Sequence, residues 1–392
     1  MKIINVKVKG ILRKQNIIEM VFNDDLNIIT GKNGAGKTTV LKLVWYITSG
    51  NISQAVSEID FDWVEVITDE YICKVFKISS NTCKAEYTPR GGSKRIIEDE
   101  FGDENGVDSF IISDAREILS EELSPLGRTV FFPTFRRIEG GFSVGGRKSR
   151  NTIQQSRQSR DLEEAMSALS NRMSSERHTF ISSISTIDIE SMLLKNYANL
   201  SENVNRLQQR VSDEIIEKIR GYKKEVSKVG DGDTEAIESA NEVIDAVRAR
   251  IEEMEQERRS IMVPMTAIQK LASQFFAHSG IKFGTRLSIG GAAEAINSDA
   301  LSAGEKQMLS FICYNAFTKD CVTFIDEPEL SLHVDWQRQL FPTLLSQRSG
   351  NQFIVATHSP FIYSKYPDKE ICIDSSGDRG NTNAYIEVYN DE

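Results

Sequence analysis

The sequence predicts an α/β protein with a mixed sheet flanked by helices, an antiparallel β lobe and an inserted helical hairpin. Three observations support this fold. Alternating or continuous apolar segments typical of strands occupy both ends of the chain. A glycine-rich loop connects a strand to a helix near the N-terminus, and a long central segment has the apolar spacing of helices.

Composition excludes several classes of protein. The chain has 392 residues, of which 40% are hydrophobic and 27% charged, so it can bury a sizeable core. No stretch approaches about 18 uncharged apolar residues and the N-terminus alternates like a strand, so we expect neither a membrane span nor a signal peptide. Five cysteines without a Cys-x-x-Cys pair favour a cytoplasmic protein with free thiols. The net charge of −10 means that the surface as a whole does not attract nucleic acid.

The individual elements follow from the spacing of apolar residues. Residues 3–30 predict three short strands, residues 36–48 a helix, and residues 61–89 antiparallel strands. Three further elements are predicted near the C-terminus: a strand at 321–326, a helix near 335–347 and a strand at 352–357.

Charge is segregated in the middle of the chain. Residues 98–122 hold ten acidic residues and one basic residue, whereas residues 136–160 hold seven basic residues and one acidic residue. Glycine and serine are frequent in the basic stretch, so we expect a mobile loop there. This loop either contacts nucleic acid or an acidic partner, is simply solvated, or pairs with the acidic stretch.

Residues 161–260 predict helix throughout, and two heptad series within them predict an antiparallel hairpin. Arms of about 30 residues give it a length of about 45 Å. The two series are Leu193, Tyr197, Leu200, Val204, Leu207 and Val211, and then Ile237, Ala240, Ile244, Val247, Ile251 and Met254. Pro264 is expected to end the second arm.

Residues 31–38, GKNGAGKT, match the phosphate-binding pattern G-x-x-x-x-G-K-[ST] between a predicted strand and a predicted helix. The glycines allow successive backbone N–H groups to point at an anion, and the helix N-terminus adds partial positive charge. We expect Lys37 to reach the β- and γ-phosphates of ATP, and the Thr38 hydroxyl to bind Mg²⁺. The nucleotide-binding residues predicted in this loop are Asn33, Gly34, Ala35, Gly36, Lys37, Thr38 and Thr39.

The strand predicted at 321–326 ends in an acidic pair. In the segment CVTFIDEPE, Asp326 stands where a second carboxylate associated with Mg²⁺ is expected. Glu327 follows it and is the natural general base for the attacking water. The alternative is a strand followed by an acidic turn without a catalytic role.

The segment LSAGEKQ, residues 301–307, resembles the LSGGQ-like signature of ABC-type ATPases. Ser302 and Gly304 match its contact positions, whereas Ala303 and Glu305 depart from it mildly. The resemblance implies that Ser302, Gly304 and Glu305 contact nucleotide. The alternative for this segment alone is a helix that begins with a serine cap.

Two further segments carry the same resemblance. ELSLH, residues 329–333, resembles the loop that crosses the dimer interface in that family, and His358 in VATHSP resembles its catalytic switch histidine, which contacts the γ-phosphate. The glutamine that senses the metal in the family has no counterpart in residues 129–141, where Arg136 or Arg137 is a candidate substitute.

The resemblance implies the fold of an ABC-type P-loop ATPase head with ATP and Mg²⁺ as cofactors. It also implies a homodimer, with possible higher homo-oligomers, in which the phosphate loop of one copy meets the signature segment of the other. The predicted boundaries are 1–135 for the N-terminal half of the head, 136–160 for the basic loop, 161–264 for the inserted helical domain and 265–392 for the C-terminal half.

Ser302 stands 265 positions after Lys37, a separation typical of the SMC, RecF and OLD relatives rather than of a transporter cassette. DEPELSLH followed by ATHSP resembles OLD-type ATPases of bacterial immunity, and the 34 residues after His358 are too few for a nuclease domain. The sequence therefore resembles the stand-alone ATPase subunits of PARIS and, second, Septu antiphage systems.

That resemblance implies a sensor and scaffold that holds a separate effector nuclease of TOPRIM or HNH type and responds to a phage-encoded trigger. No nuclease activity of its own is expected. The alternative is a RecF-like or SMC-like repair ATPase that clamps duplex DNA.

Overall fold

The computed structural model describes residues 1–13, 16–104, 108–134, 168–181, 186–226, 233–275 and 302–373. The chain divides into two units. The first contains Met1–Ile184 and Thr318–Glu392, and the second contains Ser185–Phe317. The basic loop predicted at 136–160 lies outside the described residues, and so do Arg136 and Arg137.

An antiparallel sheet forms the β lobe of the first unit. Its strands are β1 (Ile3–Lys9), β2 (Ile17–Val21), β4 (Trp63–Thr68), β5 (Tyr71–Lys77), β6 (Cys83–Pro89) and β7 (Arg95–Glu98). They lie in the order β2-β1-β4-β5-β6-β7. Val64 and Val66 are fully buried while their neighbours in β4 are partly exposed, so one face of the sheet packs on the core. The antiparallel strands predicted in residues 61–89 are confirmed.

A parallel sheet forms the other half of this unit. Its strands are β3 (Leu26–Thr30), β10 (Thr129–Phe132), β11 (His178–Phe180), β12 (Val322–Asp326), β13 (Gln352–Ala356) and β14 (Glu370–Cys372). They lie in the order β11-β10-β12-β13-β3-β14, and every neighbouring pair is parallel. Every residue of β3, β12 and β13 is buried, as expected when helices cover both faces. Parallel pairing places the carboxyl ends of β3, β10, β12 and β13 at one edge of the sheet.

Helices join the two sheets into one hydrophobic core. The described helices of this unit include α1 (Lys37–Thr48), α2 (Ile52–Glu58), α3 (Ala115–Leu123), α7 (Val334–Ser346) and α8 (Pro360–Tyr363). Val40, Leu41 and Trp45 of α1 are fully buried and belong to the same cluster as residues of both sheets. The helices predicted at 36–48 and near 335–347 are confirmed. In the acidic segment, β8 (Glu100–Glu104) and β9 (Asp108–Ser113) form a separate antiparallel pair.

A buried chain of hydrogen bonds secures the outer edge of the parallel sheet. The Trp45 indole Nε1–H donates to Thr129 Oγ1 at 3.1 Å, and Thr129 Oγ1 lies 2.9 Å from His178 Nδ1. His178 Nε2 lies 3.1 Å from the Ser124 carbonyl oxygen, which can only accept, so Nε2 carries the proton. The prediction of helix throughout 161–260 is wrong at β11, because pairing with β10 and burial of His178 outweigh local helix propensity.

The second unit consists of three described helices. They are α4 (Thr186–Val226), α5 (Asp233–Phe275) and α6 (Ala303–Phe317). The helices α4 and α5 pack along each other as the predicted antiparallel hairpin, and α6 packs against both. The prediction that Pro264 ends the second arm is wrong, because α5 continues to Phe275. Pro264, Met265 and Ile268 are buried, and this packing compensates for the backbone hydrogen bond that a proline cannot make.

The hairpin interface matches the predicted heptads along α4 but only in part along α5. Leu193, Leu207 and Val211 of α4 are buried as predicted. In α5, however, Ile244 is 62% exposed and Ile251 is 43% exposed, so both lie outside the interface. Arg250 is instead partly buried and donates to Glu214 of α4 at 2.7 Å. At this level of the hairpin, an ion pair thus joins α4 and α5, whereas the heptad series predicts an apolar contact there.

None of the described helices is both long enough and apolar enough to cross a lipid bilayer.

Acidification is expected to weaken the fold through His178. Burial lowers the pKa of the His178 imidazole to about 4, whereas an unfolded histidine has a pKa of about 6.5. Below about pH 6.5 the unfolded chain therefore binds a proton that the folded chain excludes. The free energy of unfolding should fall by up to about 1.4 kcal/mol per pH unit down to about pH 4. Denaturant unfolding at several pH values in this window measures the slope.

His178→Gln is the matched control, because glutamine can still hydrogen-bond but does not titrate. Its free energy of unfolding should change less with pH than that of the wild type over the same window. Equal slopes for the two proteins would contradict the contribution assigned to His178.

Candidate functional site

The phosphate-binding loop lies between β3 and α1, as predicted. Gly34 and Gly36 adopt φ angles of 76° and 99°, which are left-handed conformations that favour glycine. A Cβ atom on Gly36 would lie 3.2 Å from both Ile11 Cγ2 and Leu12 Cδ1. The loop is thus packed against the turn that follows β1, and glycine permits both the conformation and the close approach.

Lys37 begins α1 and its side chain enters the site. The residue is 4% exposed. Its Nζ donates to the Gly31 carbonyl oxygen at 3.2 Å and also contacts the His358 imidazole, with Nδ1 at 3.2 Å and Nε2 in direct contact. Burial lowers the pKa of Lys37, while the carboxylates of Glu327 and Asp326 oppose that shift. A desolvated ammonium group needs a negatively charged partner, and a bound phosphate can supply one.

Asp326 ends β12 and receives two hydroxyl groups. Thr38 Oγ1 donates to Asp326 Oδ1 at 2.9 Å, and Thr134 Oγ1 donates to Asp326 Oδ2. The residue is 2% exposed, and this burial raises the pKa of the Asp326 carboxyl while the two hydroxyl groups oppose the rise. A threonine hydroxyl next to an aspartate is an oxygen-donor set of the kind that Mg²⁺ prefers.

Glu327 follows Asp326 in an unusual conformation. Its φ and ψ angles are 48° and 57°, a left-handed conformation that costs about 1–2 kcal/mol for a residue other than glycine. This conformation brings Glu327 Oε1 to 3.4 Å from His358 Nε2. Burial first, and then the Glu329 carboxyl, raise the pKa of Glu327 to about 8. Backbone strain of this kind is concentrated at functional sites.

His358 follows β13 and faces Lys37 and Glu327. Burial and then the Lys37 ammonium lower the pKa of His358, which favours the neutral imidazole, able to accept a hydrogen bond from Lys37. The backbone N–H of His358 donates to Glu329 Oε1 at 2.8 Å. The loop after β12 and the loop after β13 are therefore in direct contact.

The structure brings five of the predicted residues together. They are Lys37, Thr38, Asp326, Glu327 and His358. The remaining predicted residues of the loop are Asn33, Gly34, Ala35, Gly36 and Thr39, which lie in or directly after the glycine turn.

The three predicted signature residues belong to the second unit, at the start of α6. The Ser302 N–H donates to Glu305 Oε2 at 2.7 Å, and the Glu305 N–H donates to Ser302 Oγ at 3.3 Å. This reciprocal pair is a capping box, so the segment does begin a helix with a serine cap. A nucleotide-contacting role for Ser302, Gly304 and Glu305 stays a prediction.

Two residues of the site were missed by the sequence analysis. Thr134 lies two residues after β10, the strand that pairs with β12, and its hydroxyl group donates to Asp326. Glu329 was assigned to an interface loop, although its carboxyl group contacts His358. A polar residue just after a strand was a signal for Thr134, but only the strand order shows that this strand adjoins β12.

These contacts fit a nucleotide with Mg²⁺. A glycine cradle and a buried lysine suit phosphate groups, whereas the Thr38 and Asp326 oxygens suit the cation. All of them lie at the carboxyl edge of a parallel sheet, the usual place for ligands in open α/β folds.

Three solved structures match most of the chain. One is the Smc head domain with an extended coiled coil bound to the C-terminal domain of ScpA from Pyrococcus furiosus, at 12% identity and a TM-score of 0.35, covering 93% of this chain and 91% of that chain. The Smc head bound to the C-winged helix domain of ScpA matches at 12% identity and a TM-score of 0.36, with coverages of 93% and 91%. The Smc head domain with a coiled coil and joint from Pyrococcus yayanosii matches at 13% identity and a TM-score of 0.35, covering 93% of each chain.

A family model described as the AAA ATPase domain matches residues 1–363, which is most of the chain. The match spans the phosphate loop, the acidic strand end and the histidine that meet in the site. The chain therefore belongs to the family of AAA ATPase domains.

Proposed function

We propose that the chain is a Mg²⁺-dependent ATPase of the ABC type whose nucleotide state controls a separate effector nuclease in bacterial antiviral defence. Membership of an ATPase family supports ATP binding and hydrolysis. The observation that carries the ATPase part of the proposal is the meeting of Lys37, Thr38, Asp326, Glu327 and His358 at one edge of the parallel sheet.

Each of these residues has a role suited to its position. Lys37 binds the β- and γ-phosphates of ATP, and His358 donates a hydrogen bond to the γ-phosphate. Thr38 and Asp326 hold Mg²⁺, which supplies positive charge that stabilises the negative charge of the reacting phosphates. Glu327 accepts a proton from the attacking water, and a base serves best when its pKa lies near the working pH, as that of Glu327 at about 8 does.

A second copy of the chain completes the site in this proposal. Ser302 caps α6, whose N-terminus carries partial positive charge and suits a phosphate group. The resemblance of this segment to the ABC signature supports a head-to-tail dimer, in which Ser302 and Gly304 of one copy face the Lys37 region of the other. Two-fold symmetry then makes the two composite sites equivalent.

The helical hairpin is the part proposed to bind the nuclease. At 1.5 Å per residue, the 41 residues of α4 extend about 60 Å. Ile244 and Ile251 are exposed and seven residues apart, so they lie on the same side of α5. Apolar side chains left uncovered on a long charged hairpin suit a protein partner.

The first prediction concerns the general base. Glu327→Gln should still bind ATP but hydrolyse it about 10²–10⁴-fold more slowly, because glutamine cannot accept the proton. Steady-state phosphate release measures hydrolysis, and equilibrium titration with ATP and Mg²⁺ measures binding. Glu121→Gln, at an exposed position of α3, is the matched control and should hydrolyse ATP at the wild-type rate. A wild-type rate for Glu327→Gln would contradict the assignment.

The second prediction concerns composite sites. Lys37→Ala and Ser302→Arg homodimers should each be inactive, because each lesion is present in both sites. In a mixed dimer, one site carries both lesions and the other carries neither. An equimolar mixture that exchanges subunits should therefore regain about one quarter of wild-type ATPase activity. Mixed dimers that form without any recovery would show that the sites are not shared.

The third prediction concerns the hairpin. The double substitution Ile244→Glu and Ile251→Glu should abolish co-purification with the nuclease encoded by the neighbouring gene and leave ATP hydrolysis unchanged. The reason is that it places charge on the exposed apolar positions but touches no residue of the ATP site. Ala249→Glu, at another exposed position of α5, should retain the nuclease. Full retention by the double variant, or salt-dependent duplex DNA binding in place of a protein partner, would contradict this role.

A further inference from the structure

Two loops of the candidate site are linked by side chains. The first follows β12 and contains Glu329, and the second follows β13 and contains His358. Glu329 Oε1 accepts the backbone N–H of His358 at 2.8 Å. This bond joins positions 29 residues apart in sequence and is charge-assisted, which makes it stronger than a bond between neutral groups.

Gln337 of α7 makes a second link between the same two loops. Its Oε1 accepts a hydrogen bond from Ser359 Oγ at 2.6 Å, and its Nε2 donates to the Leu332 carbonyl oxygen at 2.8 Å. We refer to the Glu329–His358 and Gln337–Ser359 contacts together as the loop tie. Through the loop tie, the turn that carries His358 is hydrogen-bonded to the segment that follows Glu327 and to α7.

The two carboxyl oxygens of Glu329 differ in their hydrogen bonding. Oε2 is buried and accepts no hydrogen bond within the part of the chain that the structure describes. A buried acceptor without a partner destabilises a fold, so a structural role alone explains this residue poorly. The carboxyl group also interacts with that of Glu327, so Glu329 neighbours both proposed catalytic groups.

The orientation of the His358 imidazole depends on how firmly the backbone of its turn is held. The His358 side chain is 37% exposed, and among the described residues its ring contacts Lys37 and Glu327. The loop tie anchors the turn at His358 and Ser359, and the Thr357 N–H anchors its start by donating to the Ile29 carbonyl oxygen at 3.2 Å. A shift of about 1 Å in a reacting group can cost about 10²-fold in rate, so the anchoring of this turn matters for the chemistry.

We propose that Glu329 is a positioning residue, which holds the His358 turn so that the imidazole stays between Lys37 and Glu327. This inference deepens the proposed ATPase function and rests on it for its consequence in catalysis. The positioning itself is a property of the protein without nucleotide and can be tested separately.

Hydrogen exchange of the nucleotide-free protein tests the positioning. Glu329→Ala should raise the exchange rate of the His358 amide about five- to tenfold, because one hydrogen bond is lost. Glu329→Gln keeps an oxygen that can accept this N–H and should exchange nearly as slowly as the wild type. Glu121→Ala is the matched control on the surface and should not change this amide. An unchanged His358 amide in Glu329→Ala would overturn the proposal whether or not the protein hydrolyses ATP.

Kinetics test whether the positioning serves the reaction. Glu329→Ala should lower kcat about 10–100-fold with little change in KM, and Glu329→Gln should largely restore it. In a His358→Ala background, Glu329→Ala should cause no further loss, because the imidazole that it positions is gone. An equal loss in both backgrounds would overturn the proposal. Failure of the wild type to hydrolyse ATP would instead overturn the proposed function, and the exchange measurement would still decide the positioning.

Discussion

The buried carboxyl group of Asp326 is the constraint on which the rest of the site depends. It is 2% exposed and is stabilised by hydroxyl groups from Thr38, at the start of α1, and Thr134, just after β10. Burying a charged or polar group without partners is costly, so this arrangement requires three separate segments to meet. They meet because β10, β12, β13 and β3 lie side by side in parallel. The strand order of one sheet thus assembles the site.

The site keeps several unfavourable features that the surrounding core compensates. Glu327 is left-handed, Lys37 is almost fully buried, and one oxygen of Glu329 has no hydrogen-bond partner among the described residues. Such features persist only where well-packed elements around them leave no alternative. The fully buried strands β10 and β13 on either side of β12, together with the buried helix α1, supply that packing. A bound phosphate with its cation would relieve part of the imbalance by pairing with the buried charges.

The two units are stabilised in different ways. The first has a continuous hydrophobic core that includes both sheets and α1. The described helices of the second bury apolar residues mainly where α6 packs on α4 and α5, and farther along the hairpin the Arg250–Glu214 pair lies between them. An ion pair that is partly exposed contributes little stability. Its presence instead of an apolar contact leaves Ile244 and Ile251 on the outside.

The sequence by itself determined the local features of this protein. The phosphate loop, the strand that ends at Asp326, the strand before His358 and the long helices were all predictable, because each depends on residues that are near one another in the chain. Only the tertiary structure decided which distant side chains meet. Strand order places Thr134 beside Asp326, Glu329 beside His358 and His178 in a strand. The rotation of α5 about its axis leaves Ile244 outside the hairpin interface. Those properties arise from packing between remote segments, which local periodicity does not encode.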